Sequence, residues 1–284
     1  MKTYDCFMFF NELDLLEIRL QEMWDVTDTF VIAEANVGHS GKPKNYILLD
    51  NWERFKPYAD KIKRIEVDNF PSTAVTGMDR DRFQRASLAR GLTDVQPNDL
   101  VIISDLDEIP RAEIIKMIKE DENDWDKYIL YLPMFQFRLN YMKIHEVTKG
   151  VSVMVTRGRA YTNPQQEREY TFPWIPKPEH TVFVEHGGWH FSYFGDDAHA
   201  VTKIKNFAHT ETDIPRFTEN LNIELLIRNK CGLWGPAEFQ REKFEYVVVD
   251  EYFPKCITDN IEKWKHMIVP NAAFNVTDLY REDR

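Results

Sequence analysis

Apolar residues recur along this chain in two rhythms. Short unbroken apolar runs at 7–10, 30–33 and 100–103 have the length of strands buried on both faces. Between them the spacing changes. Leu13, Leu16, Leu20 and Met23 or Trp24 fall three or four residues apart, which predicts a helix opening at Asn11, with Asp14 three residues on in a capping arrangement. Gly38, Gly41 and Pro43 mark 37–44 as a loop. Further strands are expected at 62–67 and 128–132, and a basic helix over 79–90 with Gly91 as its stop. Another helix is expected to start at Pro110 and run on through Ile114, Ile115 and Ile118. Strand and helix thus alternate through the first half, the order of a mostly parallel, doubly wound α/β sheet flanked by helices.

The second half is less regular. Strands are expected at 151–155 and 181–184, helices at 200–207 and 220–229, and a long polar loop at 163–178. No repeat, low-complexity tract or linker divides the chain, so one domain is expected over residues 1–284.

Composition narrows the function. A net charge of −11 lacks the basic footprint of a phosphate-backbone binder, which argues against nucleic acid as a partner. No apolar run reaches the length of a membrane span. Residues 1–7 read as the first strand and not as a signal peptide. Cys6, Cys231 and Cys256 are too far apart for a disulfide framework or a zinc site and fit a reducing compartment. A cytoplasmic protein is therefore expected.

The most informative stretch is Ser104-Asp105-Leu106-Asp107-Glu108-Ile109-Pro110, where an apolar strand ends in acids. On an extended chain, Asp105 and Asp107 share a face and Leu106 turns into the core. Two adjacent carboxylates repel unless a cation sits between them, and oxygen ligands suit Mg²⁺ or Mn²⁺. Ligands in open α/β sheets bind beyond the carboxyl ends of the strands, where these acids lie. The competing reading makes them capping and turn residues ahead of Pro110, and the spacing alone leaves both open.

Three blocks together resemble glycosyltransferase family 17. The first is Phe10-Asn11-Glu12-Leu13-Asp14-Leu15-Leu16-Glu17-Ile18-Arg19, followed by 30–36 and Gly41-x-Pro43-Lys44. The second runs from Pro97-x-Asp99 to Pro110 around the Asp-Leu-Asp-Glu-Ile-Pro core. The third is Gly188-Trp189-His190-Phe191-Ser192, with Lys205 and Asp213-Ile214-Pro215-Arg216 after it. The resemblance implies a GT-A fold, an inverting mechanism and a nucleotide-sugar donor, UDP-N-acetylglucosamine in the known member. On that basis residues 1–132 would form the nucleotide-sugar half and 133–284 the half that takes a glycan acceptor. The family's secretory members begin with an anchor and stem. Their lack here points to a bacterial or viral type of enzyme.

Within that resemblance each residue acquires an expected role. Asp107 is the direct metal ligand, and Asp105 serves the ribose or the metal through water. His190 is a further metal or diphosphate ligand, with Gly187-Gly188 allowing close approach. Glu34 and Asn36 are candidates for the uridine or ribose, Lys44 for phosphate, and Arg85, more than Arg82, for diphosphate charge. Asp213 and Glu211 are the candidate bases. Trp189, Tyr193 and Trp234 are candidates for stacking on sugar rings, with core packing as the alternative. Two other classes share parts of this pattern: a metal-dependent phosphohydrolase or nucleotidyltransferase, and a non-catalytic sugar-binding module.

Overall fold

The structure is a computed structural model and describes residues 1–123, 125–144, 152–206, 208, 213–233 and 243–279, without the side chains of Arg216 and Asp278. Its strands are β1 (Thr3–Phe9), β2 (Thr29–Ala35), β3 (Ile62–Val67), β4 (Leu100–Ile103), β5 (Glu108–Pro110), β6 (Lys127–Tyr131), β7 (Met134–Gln136), β8 (Tyr141–Ile144), β9 (Ser152–Arg157), β10 (Thr181–Val184), β11 (Gly188–Ser192) and β12 (Lys243–Tyr246). They form a seven-stranded sheet in the order β10-β6-β9-β4-β1-β2-β3 and a five-stranded sheet in the order β12-β8-β7-β11-β5. In the large sheet β4-β1-β2-β3 and β6-β10 pair parallel, while β9 runs antiparallel to both β4 and β6. This is the mixed α/β, mostly parallel sheet that the strand–helix alternation predicts.

The unbroken apolar runs are explained by burial on both faces. Phe7, Phe9, Ile32 and Ile102 pack into one core, and Cys6, Val31, Ala33, Val101 and Ile103 into the other, as the alternation along a strand requires. The helix Leu13–Met23 buries Leu15, Leu16, Leu20 and Met23 against the large sheet or its neighbour. It starts one residue later than expected and without a side-chain cap; the Glu12 carboxylate instead accepts the Asn11 N–H at 3.1 Å. The helix Gly77–Ser87 opens on a capping box, Thr76 with Asp79, and a 3₁₀ turn carries it on to the expected stop at Gly91.

Two expectations are corrected. Pro110 does not start a helix. It ends β5, which pairs antiparallel with β11 at the edge of the small sheet, and the helix begins at Ala112. An edge strand tolerates a residue with no N–H to donate. Residues 163–178 are not all loop: Asn163 caps a short helix, Pro164–Glu169, by accepting the Gln166 N–H at 3.0 Å. That helix is anchored from below by a buried pair, Lys127 Nζ to Glu167 Oε2 at 2.6 Å. The later helices lie at Asp197–Asn206 and Ile223–Arg228, close to the expected ranges. Among the described residues no helix is long and apolar enough to cross a membrane.

Candidate active site at the junction of the two sheets

The acidic stretch is where the chain leaves one sheet for the other. β4 belongs to the large sheet and β5 to the small one, and residues 104–107 make the turn between them. Leu106 points into the core as expected.

The two aspartates have different surroundings. Asp105 Oδ1 accepts Arg85 Nη1 at 2.7 Å and Oδ2 accepts Arg168 Nη2 at 3.0 Å. Arg85 extends the chain of charge to Asp81 at 3.1 Å. Arg168, from the helix Pro164–Glu169, also forks onto Glu108, with both bonds at 2.8 Å. Asp107 instead faces the small sheet and the helix Asp197–Asn206. Its Oδ2 accepts Lys203 Nζ at 2.6 Å, and His190 Nε2 lies 3.7 Å from the same oxygen. β11 is locked beside it, because the Phe191 N–H donates to the Asp107 carbonyl at 2.8 Å. Gly188 makes that docking possible: a Cβ there would meet the Ile109 carbonyl oxygen at 2.0 Å. The close approach inferred from the glycine pair is therefore to the backbone of β5.

Electrostatics follow from these contacts. Burial alone would raise the pKa of both aspartates. Arg168 and Arg85 overcome it at Asp105, Lys203 and His190 overcome it at Asp107, and both carboxyls sit well below the usual range. Glu108 goes the other way: its burial outweighs Arg168, and it is raised. The Lys203 ammonium is raised despite burial by Asp107 and Glu12. A depressed carboxyl stabilises the fold fully above its unfolded value, about 3.9 for Asp, and that contribution is lost as pH falls through the folded value. Urea unfolding at stepped pH should therefore show the Asp107 contribution intact at neutral pH and fading below about pH 4. The stability difference between wild type and Asp107→Asn should shrink in that range; a constant difference down to about pH 2 would contradict the assignment.

The donor set was expected to hold a divalent metal at Asp105, Asp107 and His190. Asp105 is the less suited, since each of its oxygens already accepts from an arginine and two guanidinium groups balance its charge. The counter-charge between the two acids is supplied by side chains. Asp107 and His190 fit better by their chemistry: a carboxylate oxygen and the imidazole Nε2 face each other 3.7 Å apart. No cluster of three or more potential metal-ligating side chains is found among the described residues, so substrate and water would complete a coordination shell, as is usual for Mg²⁺-like ions.

The remaining expected site residues divide. Glu34 is buried and accepts Lys44 Nζ at 3.0 Å together with the backbone N–H groups of Ile47 and Leu48, so Glu34 and Lys44 are paired with each other around a turn of helix. Asn36, at the end of β2, has a buried Oδ1 with no partner. Arg85 Nε is likewise buried and unpartnered. Trp189 is core, only 1% exposed, with the Arg111 guanidinium over its ring. Tyr193 is also buried, in the left-handed region at φ 50°, with Lys203 Nζ 5.5 Å from its ring centre and its phenol pushed up to about 12 by burial. Asp213 is exposed ahead of the turn Pro215–Thr218, Arg82 is exposed, and Glu211 and Trp234 lie outside the described residues. Lys205 is exposed, whereas Lys203, two residues earlier, reaches the site. Sequence reasoning missed Lys203 and Arg168. The signal for Arg168 was the Asn-Pro start of a helix inside a polar stretch.

Comparison with known proteins identifies the family. The model of glycosyltransferase family 17 matches residues 1–246. The beta-1,4-mannosyl-glycoprotein 4-beta-N-acetylglucosaminyltransferases of Rattus norvegicus and Homo sapiens are each 25% identical over 292 aligned residues, covering 91% of this chain and 53% of theirs. The chain thus spans about half the length of these relatives. Among solved structures, S. aureus TarS 1–349 matches with a TM-score of 0.39 and 12% identity, over 77% of this chain and 69% of that one. With the family model covering most of its length, including both sides of the Asp107–His190 junction, the chain belongs to glycosyltransferase family 17.

Proposed function

We propose that this chain is a metal-dependent, inverting glycosyltransferase that moves N-acetylglucosamine from UDP-N-acetylglucosamine to a hydroxyl of a glycan acceptor. The observation that carries the reading is the Asp107–His190–Lys203 cluster at the carboxyl end of β4, in a chain of this family. When bound, Mn²⁺ or Mg²⁺ would supply Lewis-acid stabilisation to the departing UDP. Asp107 and His190 would hold it. Lys203 brings a positive charge to the same spot and would bind a diphosphate oxygen. Asn36, just past the end of β2, is the residue proposed for a ribose hydroxyl or a uracil N–H. Arg85 and Arg168 are neutralised by Asp105, Asp81 and Glu108, so they hold the turn in shape more than they bind the donor.

In inverting transfer the acceptor oxygen attacks the anomeric carbon from the face opposite UDP. The bond from that carbon to the diphosphate oxygen breaks, and the hydroxyl proton passes to a carboxylate. Asp213 and Glu211 are the carboxylates proposed for that proton. The test is UDP release from a panel of UDP-sugars, with Mn²⁺ and with chelator. Release from UDP-N-acetylglucosamine that falls to background with chelator is the expected result. A folded protein that neither releases nor binds UDP in the presence of Mn²⁺ would sink the reading.

A further inference from the structure

Beneath the acidic turn lies a charge that the reaction does not use. Arg19 sits on the helix Leu13–Met23, on the same stripe as Leu15, Leu16, Leu20 and Met23, and is 0% exposed. Its Nε donates to Asp5 Oδ2 at 2.9 Å, and Nη2 to Asp5 Oδ1. The rest of the guanidinium points at the turn. Nη2 donates to Ser104 Oγ at 2.8 Å. Nη1 donates to the carbonyl oxygens of Asp105 at 2.7 Å, Glu108 at 3.0 Å and, more weakly, Leu106 at 3.3 Å. Ser104 Oγ closes the ring by donating to the Glu108 carbonyl at 3.1 Å. One planar fork thus gathers three backbone carbonyls and one hydroxyl of the segment that carries Asp105 and Asp107.

A buried ion pair is seldom needed for stability, since apolar residues of similar volume often serve as well. Apolar residues cannot aim carbonyls, however, and a lysine has no fixed fork with which to do so. Buried carbonyls in a tight turn need donors, and here they come from one side chain. We propose that Arg19 is a positioning residue: held by Asp5, it fixes the backbone of residues 104–108 so that the Asp107 carboxylate meets His190 and the donor. The inference rests on the reading of Asp107 given above. Its effect on the backbone can be measured whether or not that reading holds.

The test replaces the pair by apolar residues, Arg19→Met with Asp5→Leu, so that no buried charge is left alone. Thermal unfolding reports the fold. Amide hydrogen exchange reports residues 104–108 against β2 and β3 as internal controls, and initial rates report kcat and KM for UDP release from UDP-N-acetylglucosamine. The expected result is a folded protein whose Asp105 and Glu108 amides exchange at least about tenfold faster, with β2 and β3 unchanged. kcat should fall about a hundredfold, the scale of a displacement near 1 Å, with little change in donor KM. Arg19→Lys should not rescue either readout. Unchanged exchange at the turn in a folded variant would overturn the proposal. Should wild type release no UDP, the transferase reading fails while the exchange result still decides the role of Arg19. Should the double variant not fold, Ser104→Ala takes its place. Faster exchange confined to the turn then supports the clamp, and an unchanged turn overturns it.

Discussion

Replacing Asp107 by Asn is expected to lower metal-dependent UDP release by about a thousandfold while the protein stays folded. Asn keeps the volume and one oxygen but gives up the charge that would anchor a cation beside His190. The structural penalty is limited, because Lys203 keeps Glu12 Oε1 at 3.5 Å and, with a side chain 20% exposed, access to water. Asp105→Asn should behave in the opposite way. It weakens a carboxylate that two buried arginines share, so its main effect should be a lower unfolding midpoint, with a loss of turnover nearer to tenfold than a thousandfold. Measuring kcat and thermal midpoint for both variants separates the two acids. Should Asp105→Asn prove the more damaging to turnover with its midpoint unchanged, the assignment of Asp107 as the donor-facing acid is wrong.

Arg168→Met is expected to cause a large loss of stability, about 3–5 kcal/mol by urea unfolding, because it leaves the buried Glu108 carboxylate without its bidentate partner. Adding Glu108→Gln should recover much of that loss by removing the stranded charge. The pH dependence has a definite sign. The Glu108 pKa is raised in the fold by burial, so whatever stability its protonation brings is present at low pH and lost as pH rises through the folded value. Without Arg168 that rise should be larger. The deficit of Arg168→Met should therefore be smaller near pH 5 than at pH 7. A deficit that grows on acidification would show that Glu108 is not the stranded group.

The centre of the large sheet was legible because β1, β2 and β4 are buried on both faces and so appear as apolar runs ending at recognisable breaks. Ile102 and Ile103 pack on opposite faces, yet the run announces both. The acidic turn was legible for the same reason: Asp105 and Asp107 follow directly on such a run. Partners that reach the turn from elsewhere were not. Lys203 and Lys205 are two residues apart on a helix, hence on nearly opposite faces, and charge alone does not tell which one turns inward. Arg168 comes from a helix of 6 residues, too short to show a period. β5 was hidden because an Ile-Pro pair after acids reads as a helix start, and only pairing with the distant β11 makes it a strand. Arg19 did leave a trace, a charged residue on an otherwise apolar stripe, but a stripe pattern does not say what such a residue touches.

The turn at residues 104–107 has a mechanical consequence. Asp105 is gripped by Arg85 and Arg168, and Arg19 binds the backbone at both ends of the turn. Asp107 is tied instead to β11 and to the helix Asp197–Asn206. A single leucine separates them, so the turn acts as a rivet between the two sheets. Sliding one sheet against the other would have to break the guanidinium bonds on one side of Leu106 or the Lys203 and Phe191 bonds on the other.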